Sequence, residues 1–82
     1  MNSLRARDIV PALSGLSREQ LNEEYKTANS FAANCEECIA FANRGGIRAE
    51  VRAAYIADCR DNLRFWVNRA ADCIVAYRAL AA

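Results

Sequence analysis

Four cysteines (Cys35, Cys38, Cys59 and Cys73) and no histidine frame the chemistry open to this 82-residue chain. Cys35 and Cys38 form a CxxC pair, which with Cys59 and Cys73 makes up the donor set of a four-thiolate zinc site. The spacing argues against that site. The flanking residues predict Cys35 and Cys38 in the middle of a helix, whereas a zinc knuckle sets its CxxC on a turn. If the chain folds back at Gly45-Gly46, Cys59 comes level with residue 31 and Cys73 with residue 17. Cys73 is then about 20 Å from the CxxC pair at the helical rise, and an ion with bonds of about 2.3 Å does not gather all four. A disulfide within one helical turn is disfavoured by geometry and by a reducing compartment, and a Cys35–Cys59 bridge needs a shift of register. The thiols therefore read as small apolar core residues, with no metal and no cofactor.

Arginine supplies the sharpest polar feature. Arg44, Arg48 and Arg52 recur at i, i+4 and i+8, and Tyr55 follows on nearly the same face. They gather near the start of a second long helix, whose positive end favours anions. Lys26, beside Tyr25, is a further polar contact. These five residues are candidate contacts for an anionic small ligand or an acidic partner. The competing reading has Arg44 capping the first long helix, with Arg48 and Arg52 paired to Glu50 or Glu37. Arg60 and Arg64 are offset by Asp58 and Asp61. Among the aromatics, Trp66 and Tyr77 fall on an apolar seam and Phe65 falls off it. Phe31, Phe41, Phe65 and Trp66 are the candidate interface residues.

Catalytic parts are missing. Without histidine the commonest general base is absent. There is no Ser-His-Asp set and no glycine-rich phosphate loop, and Glu36-Glu37 reads as a solvated pair on an outer helical face. The chain is expected to be non-enzymatic.

The elements that position these residues follow from two heptad seams. Leu21, Tyr25, Ala28, Ala32, Cys35, Ile39 and Ala42 recur at alternating spacings of 4 and 3, as do Ile56, Cys59, Leu63, Trp66, Ala70, Cys73, Tyr77 and Leu80. Each set makes one stripe of a helix. The first helix is predicted to start at Ser17, with Gln20 completing a capping box and Leu16 and Leu21 a hydrophobic staple. It is predicted to end near Asn43 or Arg44, with glycine in the left-handed cap position. The second runs from Ile47 or Arg48 to about Ala81, roughly 50 Å. Phe31, Cys38 and Phe41 fringe the first seam, and Val51, Tyr55, Val67 and Ile74 flank the second. Ahead of both lies a short amphipathic segment, Ser3 to Leu13. Its helix is expected to start near Asp8 ahead of Pro11, or as a turn capped by Ser3, and to lie across one end of the pair. The fold class is all-α: a short N-terminal helix plus a long antiparallel helical hairpin, assembling into a bundle by homo-oligomerisation. Residues 1–82 make one domain.

Composition points the same way. Hydrophobic residues are 54%, but 17 of the 82 are alanine, which favours helix and buries little. A lone hairpin of this kind is marginal, so self-association is expected. The net charge of +1 gives no general pull towards nucleic acid or an anionic membrane, and DNA binding is a weak third reading. Residues 17–43 carry two cations against five acids, −3, and residues 44–82 carry seven arginines against four acids, +3. This favours packing acidic helix on basic helix, within or between subunits. No apolar run approaches the roughly 20 residues of a membrane span, and Met1 to Val10 lacks the apolar core of a secretory signal, so a cytoplasmic location is expected.

The layout of a short N-terminal piece before a helical hairpin, with Leu16-Ser17 ahead of the helix and Lys26 inside it, resembles small phage proteins that block bacterial defence. Among these are the anti-CBASS sponges, which sequester cyclic oligonucleotides as interlocked oligomers. Gly15 stands where that resemblance calls for a tyrosine. The expected function is that of an oligomeric interaction protein that binds and inhibits or regulates a protein target, in keeping with an anti-defence role. The alternative is a sponge for an anionic small ligand such as a cyclic nucleotide.

Overall fold

A computed structural model describes residues 5–81, and two long helices dominate it: α1, Arg18–Phe41, and α2, Ala49–Ala81. No strand occurs among the described residues, so the fold is all-α. The start of α1 is set locally. The Ser17 hydroxyl accepts from the Gln20 amide at 3.1 Å, and the Gln20 side chain accepts from the Ser17 amide at 2.9 Å. Two of the four orphan N–H groups are thereby satisfied.

The far end of α1 widens instead of stopping. Ala42–Gly46 forms a π-helical turn, and Gly45 takes φ 90° and ψ 14°. A side chain at that φ is strained, which is why glycine stands there. Gly46 is glycine for a different reason: a Cβ on it would run into the Phe41 ring.

The two helices meet along the seams. Glu24 pairs with Arg69 and Phe31 stacks on Trp66, so contacts run in opposite order along α1 and α2. Leu21, Ala28 and Ala32 are buried from α1, and Ala42 from the turn that follows it; Cys59, Trp66, Ala70 and Cys73 are buried from α2. The centre of the core is Ala28, Ala32, Trp66 and Ala70, with Tyr25, Cys35, Leu63, Phe65 and Val10 against it. The small alanines let the helices approach, and Trp66 fills the space between them. Tyr77 and Leu80, predicted as seam residues, remain exposed: α1 begins at residue 18, where Arg18 lies 5.7 Å over the Tyr77 ring, and Leu80 lies beyond that level.

The N-terminal segment departs from expectation. It holds one 3-10 turn, Ala6–Asp8, and no α-helix. Pro11 and the turn near Gly15 (φ 84°) deny it the length a helix needs. Ser3, offered as an alternative cap, and Leu4 lie outside the described residues. The segment also crosses the middle of the helix pair, not one end. Arg7 bonds Asp61 at 2.8 Å and lies 5.6 Å over the Phe65 ring, Arg5 is 3.7 Å from Asp58, and Val10 rests on the central core.

Candidate functional site

Trp66 organises the aromatic residues. Phe31 stacks on it at 4.5 Å with an interplanar angle of 13°, and Phe65 meets its edge at 4.9 Å and 83°. Residues 5–7 line the same hollow as Phe31, Asn34, Cys35, Asn62 and Trp66. Of the four aromatics singled out as interface residues, Trp66 is 4% exposed and belongs to the core of its own chain. Phe65 is half-buried under Arg7. Phe31 keeps an exposed edge, and Phe41 is 49% exposed beside the Gly46 turn. The structure therefore joins Phe31, Phe65 and Trp66 in one internal cluster and leaves Phe41 apart.

The cationic set is dispersed. Arg44 lies in the widened turn and lines a shallow surface with Asn34, Glu37, Cys38, Ala40 and Phe41. Gly45 breaks the helical path after it, so Arg44 does not share a helical face with Arg48 and Arg52. Arg52 turns inward and donates to the Ile47 carbonyl at 3.0 Å, closing the start of α2, and its Nε has no partner among the described residues. Arg48 is exposed. Lys26 pairs with Glu23 at 3.5 Å, near the opposite end of α1. It is 18 residues from Arg44, about 27 Å at the helical rise. Neither Arg48 nor Arg52 pairs with Glu50 or Glu37 among the described residues.

Tyr55 belongs to a thiol cluster. Its hydroxyl lies with Cys38 and Cys59, and its pKa is pushed up to about 12, first by hydrogen bonding to Cys38 and then by burial. Cys35 stands close enough to Cys59 and Cys38 that their charges would repel, and burial is the main reason its own pKa is raised. Burial also raises Cys59 and Cys73. All four thiols are free. The shift of register that Cys35 needs to approach Cys59 is present, and the register expected from a fold-back centred on Gly45-Gly46 is corrected by it: the widened turn adds about one helical turn to the offset, which brings residues 55 and 59 beside 35 and 38. Cys73 lies at the other end, against Leu21 and Tyr25. Among the described residues, no three Cys, Asp or Glu side chains are arranged to hold one metal ion.

Two features had no clear sequence signal. The Glu24–Arg69 pair, at 2.6 Å with Arg69 buried, joins α1 to α2 deep in the seam. Residue 69 lies one helical step from the seam residue Ala70, and only the true register shows Glu24 opposite it. The other is a groove of about 180 Å³ on the side away from the N-terminal segment, lined by Leu21, Tyr25, Cys73, Ile74 and Tyr77. Leu21, Tyr25, Cys73 and Tyr77 are residues of the two predicted seams and Ile74 flanks the second, so the spacing places them together without showing that a hollow is left between them.

No helix of the described residues is long and apolar enough to cross a membrane. No protein-family model matches the chain, and no curated protein or solved structure is measurably similar to it.

Proposed function

We propose that this chain is a non-enzymatic interaction protein: an antiparallel helical hairpin that assembles with copies of itself and binds a protein target, which it inhibits or regulates. A cytoplasmic anti-defence role of the kind found in phage is the setting that fits. One observation carries the reading. The helix pair has an apolar cover on one side only, and Val67, Ile74 and Tyr77 remain exposed on α2. Surfaces of that kind serve association more often than chemistry. The dispersal of Arg44, Arg48, Arg52, Tyr55 and Lys26 supports a macromolecular partner over a small anion, because a compact ligand needs its cations converging. It equally weakens the DNA reading, which wants a continuous basic stripe.

The test has two arms. The tagged full chain is used to recover proteins from a bacterial lysate at native salt, and the purified chain is titrated calorimetrically with a panel of cyclic mono-, di- and trinucleotides. The proposal expects one protein in stoichiometric amount and no heat with any nucleotide. Saturable heat with a cyclic nucleotide and no protein partner would overturn it in favour of a sponge.

A further inference from the structure

We infer that a second copy of this chain docks on the face of the helix pair opposite the N-terminal segment, centred on Val67. The inference rests on the homo-oligomer proposed above and assigns it a surface. Trp66 points between the helices, so its neighbours Phe65 and Val67 project about 100° to either side. Phe65 is the one taken up by Arg7, and the segment carrying Arg7 and Val10 covers that side. Val67 is 51% exposed, and among the described residues nothing of this chain covers it. Ile74, also exposed, and the half-buried Ile56 and Leu63 stand at helical spacings from Val67 and align in one row, with Leu63 reaching back to the core. Tyr25 of α1 faces the row across the groove that Ile74 and Tyr77 help to line.

Size and charge argue for a copy of this chain as the occupant. The row and its α1 neighbours span about 30 Å by about 20 Å, so two copies would bury about 1,200 Å², the lower bound of a specific stable interface. Both signs of charge flank it. Glu36 lies on the α1 side and Arg60 on the α2 side, with no ion pair for either among the described residues. A copy laid with its α1 over this α2, about a two-fold axis along the helices, brings Glu36 of each copy level with Arg60 of the other. The product is a four-helix layer pair with each N-terminal segment on the outside.

The experiment compares the full chain with Val67→Glu and Val75→Glu by sedimentation equilibrium at micromolar concentration, with circular dichroism of each. Val75 is also exposed on α2, at 67%, but points away from the helix pair. The wild type and Val75→Glu are expected at twice the 9.1 kDa chain mass. Val67→Glu places one carboxylate from each copy in the interface, and at about tenfold each the dimer weakens about a hundredfold. Its helicity should be unchanged. Ala71→Glu, one turn further along the same row, replaces it where Val67→Glu does not fold. A dimer that survives both Val67→Glu and Ala71→Glu overturns the assignment of the face and leaves the oligomer standing. A wild-type chain that stays monomeric at about 100 µM, well above a micromolar Kd, overturns both.

Discussion

The Glu24–Arg69 pair gives the sharpest test of how the helices are joined. Arg69 is 9% exposed, its Nη2 meets Glu24 Oε1 at 2.6 Å, and its Nε is unpartnered among the described residues. The Glu24 side chain is 24% exposed. Removing one partner of a fully buried pair costs about 3–5 kcal/mol, because the other charge is stranded. Here the Glu24 side reaches water, which lets solvent approach the stranded guanidinium, so Glu24→Ala is expected to cost about 2 kcal/mol. For a domain of this size that lowers Tm by about 8–16 °C. Arg69→Met strands a carboxylate that can hydrate, and is expected to cost about 1 kcal/mol. The double variant Glu24→Leu/Arg69→Met leaves no stranded charge and should fall no lower than Glu24→Ala alone. Urea unfolding followed by circular dichroism at fixed protein concentration measures all three. A Glu24→Ala cost below about 0.5 kcal/mol, within the range of a surface pair, would refute the reasoning.

Other outcomes follow from the same coordinates. Trp66→Ala should destabilise by about 3–5 kcal/mol, and Phe31→Ala by clearly less because its ring is part exposed, both read by urea unfolding. Gly45→Ala forces a side chain to φ 90° and should cost about 1–2 kcal/mol, whereas Gly46→Ala should be restored by adding Phe41→Ala, which removes the ring the new methyl meets. Ser17→Ala removes the acceptor for the Gln20 amide and should cost about 1 kcal/mol. Burial keeps Cys35, Cys59 and Cys73 protonated in the fold to higher pH than in the unfolded chain. Stability should therefore be level up to the ordinary thiol value of 9.0 and fall above it, with Tyr55 adding to the loss between 10.0 and about 12. Thermal melts from neutral to alkaline pH test this, and a Tm that rises with pH there would contradict it.

How much of this was legible depended on the range of the forces involved. The cap at Ser17, the left-handed Gly45 and the apolar spacing of both helices are set within a few residues, and the sequence alone yields them. The register is not local. It turns on five residues adopting a π turn, and a one-turn offset was enough to conceal Cys35 beside Cys59 and Glu24 beside Arg69. The N-terminal segment escapes a local reading for a related reason. Ile9, Val10 and Leu13 look amphipathic, but what holds the segment is Arg7 on Asp61 and Phe65, contacts 54 and 58 residues away. Arg44 closes one helical stretch and Arg48 and Arg52 open the next, so their spacing of four does not make a common face across the left-handed Gly45.

The widened turn at Ala42–Gly46 sets which indole or phenyl ring the interior receives. Lengthening or shortening that connection by a single residue would swing α2 through about 100° about its own axis, withdraw Trp66 and offer Phe65 or Val67 in its place. Loops usually absorb such changes without consequence. This one is a gear tooth, and chain length there is as tightly constrained as any side chain in the middle of the molecule.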